Sequence, residues 1–144
     1  MAKLDIMGQA MNDTIAFPAM RGDVEDAIQA LADPNIQDRW GMYDADRNYY
    51  DDLTMNLNIL FDCRVFPNPW AAIDAVISAR EAEPLAELWT TFQPLLLDLG
   101  DRPDLDYLTD PRWPKVVAAA SRALIIMRQF DEEMPNHIQR GGGN

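Results

Sequence analysis

Few residues in this chain can do acid–base or nucleophilic chemistry. His137 is the one histidine and Cys63 the one cysteine. Catalysis near neutral pH turns most often on an imidazole, and His137 lies in a polar stretch just before Gly141-Gly142-Gly143-Asn144, where it is expected to be exposed and mobile. A nucleophilic triad would require it to fold back onto Ser78, Ser121 or Cys63, and no spacing supports that. Cys63 follows Leu60-Phe61-Asp62 beside an apolar run and reads as a buried structural thiol; alone, it forms no internal disulfide. One cysteine and one histidine serve zinc poorly.

Aspartate is abundant, so calcium is the metal to test. Asp44, Asp46 and Asn48 fall at positions 1, 3 and 5 of an EF-hand loop. The glycine that the turn needs next is Tyr49, and the closing bidentate glutamate is Met55, so the pattern fails where geometry is strictest. Asp98, Asp101, Asp104 and Asp106 read as a solvated acidic turn. No glycine-rich phosphate loop stands ahead of a helix, and paired carboxylates of the glycosidase kind cannot be singled out among so many acids. The expectation is a non-enzyme with no metal and no other cofactor.

The segment Tyr43 to Asp52 mixes three tyrosines with four aspartates. Tyrosine gives rigid, amphipathic contact area and is enriched at interface hot spots, while carboxylates around it suit arginine or lysine on a partner. The expected partner-binding residues are therefore Tyr43, Asp44, Asp46, Tyr49, Tyr50, Asp51 and Asp52. The plainer alternative is that the tyrosines cover the edge of the core and the aspartates keep a loop soluble.

The charge of the chain agrees with a cationic partner. Its 144 residues carry a net charge of −12 with acids spread over both halves. Such a surface repels nucleic-acid phosphates and anionic membranes and is complementary to a basic protein. Aspartate outnumbers glutamate and arginine outnumbers lysine, a balance that a high-GC or salt-adapted organism also produces without any binding role. The N-terminus has no basic region followed by an apolar run, so no signal peptide is expected. No stretch of about 18 uncharged apolar residues occurs, and the cytoplasm is the default compartment.

The elements that would carry these residues are helices. Residues 1–21 read as a peripheral arm, with Thr14-Ile15-Ala16-Phe17 a short extended piece ending at Pro18. Val24, Ala27, Ile28 and Leu31 share one helical face behind an Asp23 cap. Asp33-Pro34 starts a short helix that stops near Gly41, and another runs from about Asp51 to Phe61. Pro67-Asn68-Pro69 reads as a helix start with Trp70, Ile73, Val76, Ile77 and Arg80 at helical spacing. Leu85, Leu88, Trp89, Phe92, Leu95, Leu96 and Leu99 make the cleanest stripe; Pro94 within it should kink the helix, and Gly100 should end it. Asp110-Pro111 is expected to open a last, central helix with Val117, Ala120, Leu124 and Met127 inward. The sum is an all-α single domain, a compact bundle of five or six helices over residues 22–132, with 133–144 a flexible tail.

Three stretches resemble a group of small acidic helical actinobacterial proteins of unassigned function: Ala30-Leu31-Ala32-Asp33-Pro34, Leu60-Phe61-Asp62, and Tyr107-Leu108-Thr109-Asp110-Pro111-Arg112-Trp113-Pro114-Lys115-Val116-Val117-Ala118-Ala119-Ala120. These are caps, core apolars and a helix start, so the resemblance implies a similar helical fold and transfers no active site. The functional expectation is a protein-binding module, of the immunity or inhibitor kind, for a basic partner. A structural or regulatory homodimer joined through the Leu85–Leu99 stripe is the alternative, and a carboxylate-dependent enzyme is a further one.

Overall fold

The computed structural model describes residues 14–134. Six α-helices occur among them: α1 Pro18–Ala32, α2 Pro34–Gln37, α3 Leu53–Asp62, α4 Ala79–Leu99, α5 Asp104–Leu108 and α6 Trp113–Glu133. A single 3-10 turn, Pro69–Ala72, precedes α4. No strand forms among the described residues, and the fold is all-α, as the helical periodicities predict.

The long helix α6 lies between α1 and α4, and α3 packs on the far side of α1. Its inward face carries Val116, Ala119, Ala120, Ala123, Leu124, Met127 and Phe130, all buried. The run of alanines lets its neighbours approach closely. In α4 the stripe faces inward as expected: Leu85, Leu88, Phe92 and Leu95 are fully buried, with Trp89, Leu96 and Leu99 half-buried on its flank. The helix runs through both Pro84 and Pro94 and ends at Gly100, whose φ of +51° suits glycine. None of the helices among the described residues is long and apolar enough to cross a membrane.

Three element boundaries differ from the expected ones. The first helix begins at Pro18 instead of behind Asp23, because the chain before it is tied down: the Ala16 and Phe17 amides donate to the carbonyls of Asp74 and Ala75, both at 2.9 Å. Ile15 is buried there, so the last third of the supposed peripheral arm belongs to the domain.

The helix expected from Pro67 to Arg80 is only a 3-10 turn. Ile73 turns extended, Asp74 takes φ +73°, and the Asp74 amide closes on the Ile77 carbonyl at 2.8 Å. The start signal that wins lies further on, at Ser78-x-x-Glu81, where the Ser78 amide donates to Glu81 Oε1 at 2.8 Å.

The last helix begins at Trp113, with Pro114 in its first turn. Asp110 forms the turn before it, accepting from the Arg112 amide at 2.8 Å and from Arg112 Nε and Nη2, both at 2.9 Å. That grip holds the Asp110 carboxyl down at about 2.

Candidate functional site

The tyrosine-rich segment emerges between α2 and α3 as a short, braced turn. Gly41, at φ +84°, reverses the chain after α2, and its amide reaches the Asp51 carbonyl at 2.8 Å. Asp44 and Tyr49 then exchange two backbone hydrogen bonds, at 2.8 and 3.0 Å. Inside that ring Asp44 Oδ1 accepts from the amides of Asp46 at 3.1 Å and Arg47 at 3.3 Å, an Asx turn. Asn48 completes it at φ +52°, a conformation asparagine tolerates better than most residues. The Tyr43 hydroxyl donates to Asn48 Oδ1 at 2.6 Å, which fixes the ring against the turn.

A buried link fastens this turn to the core. Asp51 accepts from Trp40 Nε1 at 3.0 Å and Asn56 Nδ2 at 2.9 Å. Trp40 packs edge-on against Trp113, whose own indole donates to Gln37 Oε1 at 3.0 Å. Asp52 is the N-cap of α3: it accepts from the Met55 amide at 2.7 Å and from the Tyr50 hydroxyl at 3.0 Å. That last bond, ahead of burial and the carboxylate charges nearby, raises the Tyr50 phenol above its ordinary value.

The seven residues expected to meet a partner thus divide. Tyr43, Tyr49 and Tyr50 are 61, 49 and 40% exposed, and Asp46 is exposed beside them. Asp44 is half-buried, organises the turn and faces Arg47 at 3.5 Å. Asp51 departs from the expectation, being buried under two hydrogen bonds, and Asp52 serves the helix it caps.

The turn borders an open hollow of about 390 Å³ lined by Arg39, Met42, Tyr43, Asp44, Ala45, Asp46 and Tyr49. A second hollow of about 250 Å³ lies against Asn35, Ile36, Arg39, Arg47, Tyr49 and Asp51. Arg39 and Tyr49 wall both. Sequence reasoning missed Arg39 and Met42. The signal was the short length of α2, which ends at Gln37 and so turns the residues after it towards the tyrosines.

The linings contain carboxylates, guanidinium groups, phenols and a thioether, a set that recognises side chains and offers no activated nucleophile. Among the described residues no group of three or more His, Cys, Asp or Glu stands where it could hold a metal ion. Two of the EF-hand-like trio are otherwise engaged, Asp44 in the turn and with Arg47, and Asn48 with Tyr43, while Asp46 is exposed. The acids after α4 separate too. Asp98 pairs with Arg112 at 2.7 Å, Asp106 with Arg102 at 3.1 Å, and Asp104 accepts the Leu53 amide at 3.3 Å. Cys63 is buried at the end of α3, and burial raises its thiol, with Asp23 and Asp62 adding to the effect. His137 lies outside the described residues.

A family model described as a domain of unknown function, DUF7945, matches residues 15–135. No curated protein and no solved structure matches the chain.

Proposed function

The chain belongs to the DUF7945 family, and we propose that it is a protein-binding module that engages a basic partner through the Tyr43–Tyr50 turn. One observation carries this. Exposed Tyr43 and Tyr49 line an open hollow on a turn closed by its own hydrogen bonds, rimmed also by Asp44 and Asp46, and Tyr50 is exposed next to Tyr49 in the chain. Large amphipathic rings held rigid before contact lose little entropy on binding, which is what interface hot spots exploit.

The partner's charge follows from the chain's net charge of −12. At physiological salt the field of that charge reaches only about 8 Å beyond the surface, enough to steer a cationic partner during approach. At contact, an arginine or lysine would lay its methylenes on Met42 and Tyr49 and its charge near Asp46 and the tyrosine faces. An inhibitor or immunity protein for a basic enzyme is the biological form this takes, with carboxylates occupying the place of a substrate phosphate.

The test is capture from a lysate of the source organism at low salt, with wild type and a Tyr43→Ser/Tyr49→Ser variant side by side. A basic protein should be retained by wild type, released by a salt gradient and absent from the variant, with both forms equally helical by circular dichroism. Equal retention by the two would remove the turn from the interface. Pairing of the chain with itself, seen by light scattering, would favour the homodimer instead.

A further inference from the structure

Arg21 is the largest fully buried side chain, at 1% exposed, in a protein whose other charged groups lie mostly at the surface. It sits where α1, α4 and α6 meet, and its five N–H donors can be accounted for one by one. Nη1 donates to Glu81 Oε1 at 2.8 Å and the Val76 carbonyl at 3.1 Å. Nη2 donates to Glu81 Oε2 at 2.7 Å and the Met127 carbonyl at 3.2 Å. Nε donates its single hydrogen to Asp131 Oδ1 at 3.0 Å. The guanidinium also lies over the Phe130 ring, 4.9 Å from its centre.

No donor is left for Glu25, yet its Oε2 stands 3.2 Å from the same Nε. Two carboxyl groups from different helices therefore converge on one N–H, with side chains only 19% and 26% exposed. Both cannot be ionised there at low cost: Arg21 already neutralises fully buried Glu81, and among the described residues no other cation pairs with these acids. Arg80 of α4, over the far side of the Phe130 ring at 5.5 Å, is paired with Glu133 of α6 at 2.7 Å.

We infer that Glu25 and Asp131 hold one proton between them, so that a carboxyl–carboxylate hydrogen bond fastens α1 to α6 and opens when that proton leaves. The surroundings of Glu25 act in the same direction. Burial first, then the hydrogen bond and charge of Asp131, push Glu25 up to about 8 against the pull of Arg21, and Glu81 adds to the rise.

The sign of the linkage is set by the direction of the shift. A carboxyl held protonated in the fold but ionised in the unfolded chain contributes its stability in full below its ordinary 4.5. That contribution is lost as pH rises towards about 8, and nothing further is lost above it.

The test uses the full chain with ¹³C-labelled carboxyls. In wild type the Glu25 carboxyl carbon should show its step near pH 8. Urea denaturation should show the folding equilibrium falling by approaching tenfold per pH unit between about pH 5 and 8 relative to Glu25→Gln, then running parallel. In that variant the amide donates to Asp131 at every pH. A Glu25 carbon that finishes titrating below about pH 5.5 would overturn the inference, as would a Glu25→Gln protein with the wild-type pH slope. Should that variant not fold, the wild-type carbon titration decides alone. Neither readout involves a partner, so the result is independent of the binding proposal.

Discussion

Replacing Arg21 with methionine should be among the most damaging single changes outside the apolar core. Methionine fills much the same space, so the loss is mainly electrostatic. Glu81, at 0% exposure, loses both oxygen partners and keeps only the Ser78 amide. The carbonyls of Val76 and Met127 lose their side-chain donor, and Asp131 and Glu25 lose the cation they share. Breaking a buried pair by removing one partner costs about 3–5 kcal/mol, which is a drop on the order of 10 °C in Tm for a domain of this size. Arg21→Lys keeps the charge but offers three donors from a point instead of five from a fork, and should fall in between, at about 2 kcal/mol. The methionine variant also carries a pH signature. Without the guanidinium the charge of Glu81 stands alone in the interior, which is least costly where carboxylates are protonated. The penalty is then smallest in acid and largest at neutral pH. Urea denaturation at pH 5 and pH 7, followed by far-ultraviolet circular dichroism, reads both effects. A cost below about 1 kcal/mol, or a cost that grows on acidification, would refute the reasoning.

Two further outcomes are expected. Asp51→Ala should cost about 2–3 kcal/mol, because it strands the indole of Trp40 and leaves Asn56 Nδ2 with only the Asp52 carbonyl, whereas Tyr43→Ser and Tyr49→Ser should each stay within about 0.5 kcal/mol; denaturation midpoints compare the three. Cys63, buried and with its thiol raised, should react with a thiol reagent far more slowly in the native protein than in urea, and equal rates would place it at the surface.

Much of the fold could be read from spacing. Leu85, Leu88, Phe92 and Leu95 recur at the helical period because one face of α4 is buried, and Asp33-Pro34 marks a helix start because Asp33 accepts the Asn35 amide at 2.9 Å. The segment after Pro67 misled for a physical reason. Ile73, Val76 and Ile77 are spaced like a helix face, yet Val76 and Ile77 are buried by a tight turn in which Asp74 takes a positive φ. Periodicity reports burial, and a turn packed against the core can imitate it.

The Tyr43–Tyr50 turn was legible as composition but not as geometry. Whether an aspartate in that stretch faces solvent or the core depends on Trp40 and Asn56, which reach Asp51 from either side of the loop. Arg21 was hidden for the same reason on a larger scale: Glu81 and Asp131 are 60 and 110 residues away, and no local pattern couples them.

The partition formed by Tyr49 and Arg39 has a consequence for selectivity. Tyr49 and Arg39 border both hollows, so under the proposed binding role a segment filling both would meet the same phenol ring and the same guanidinium. Trimming Tyr49 would then alter the fit at both positions together. A change at Met42, which borders only the larger hollow, would retune one position and leave its neighbour as it was.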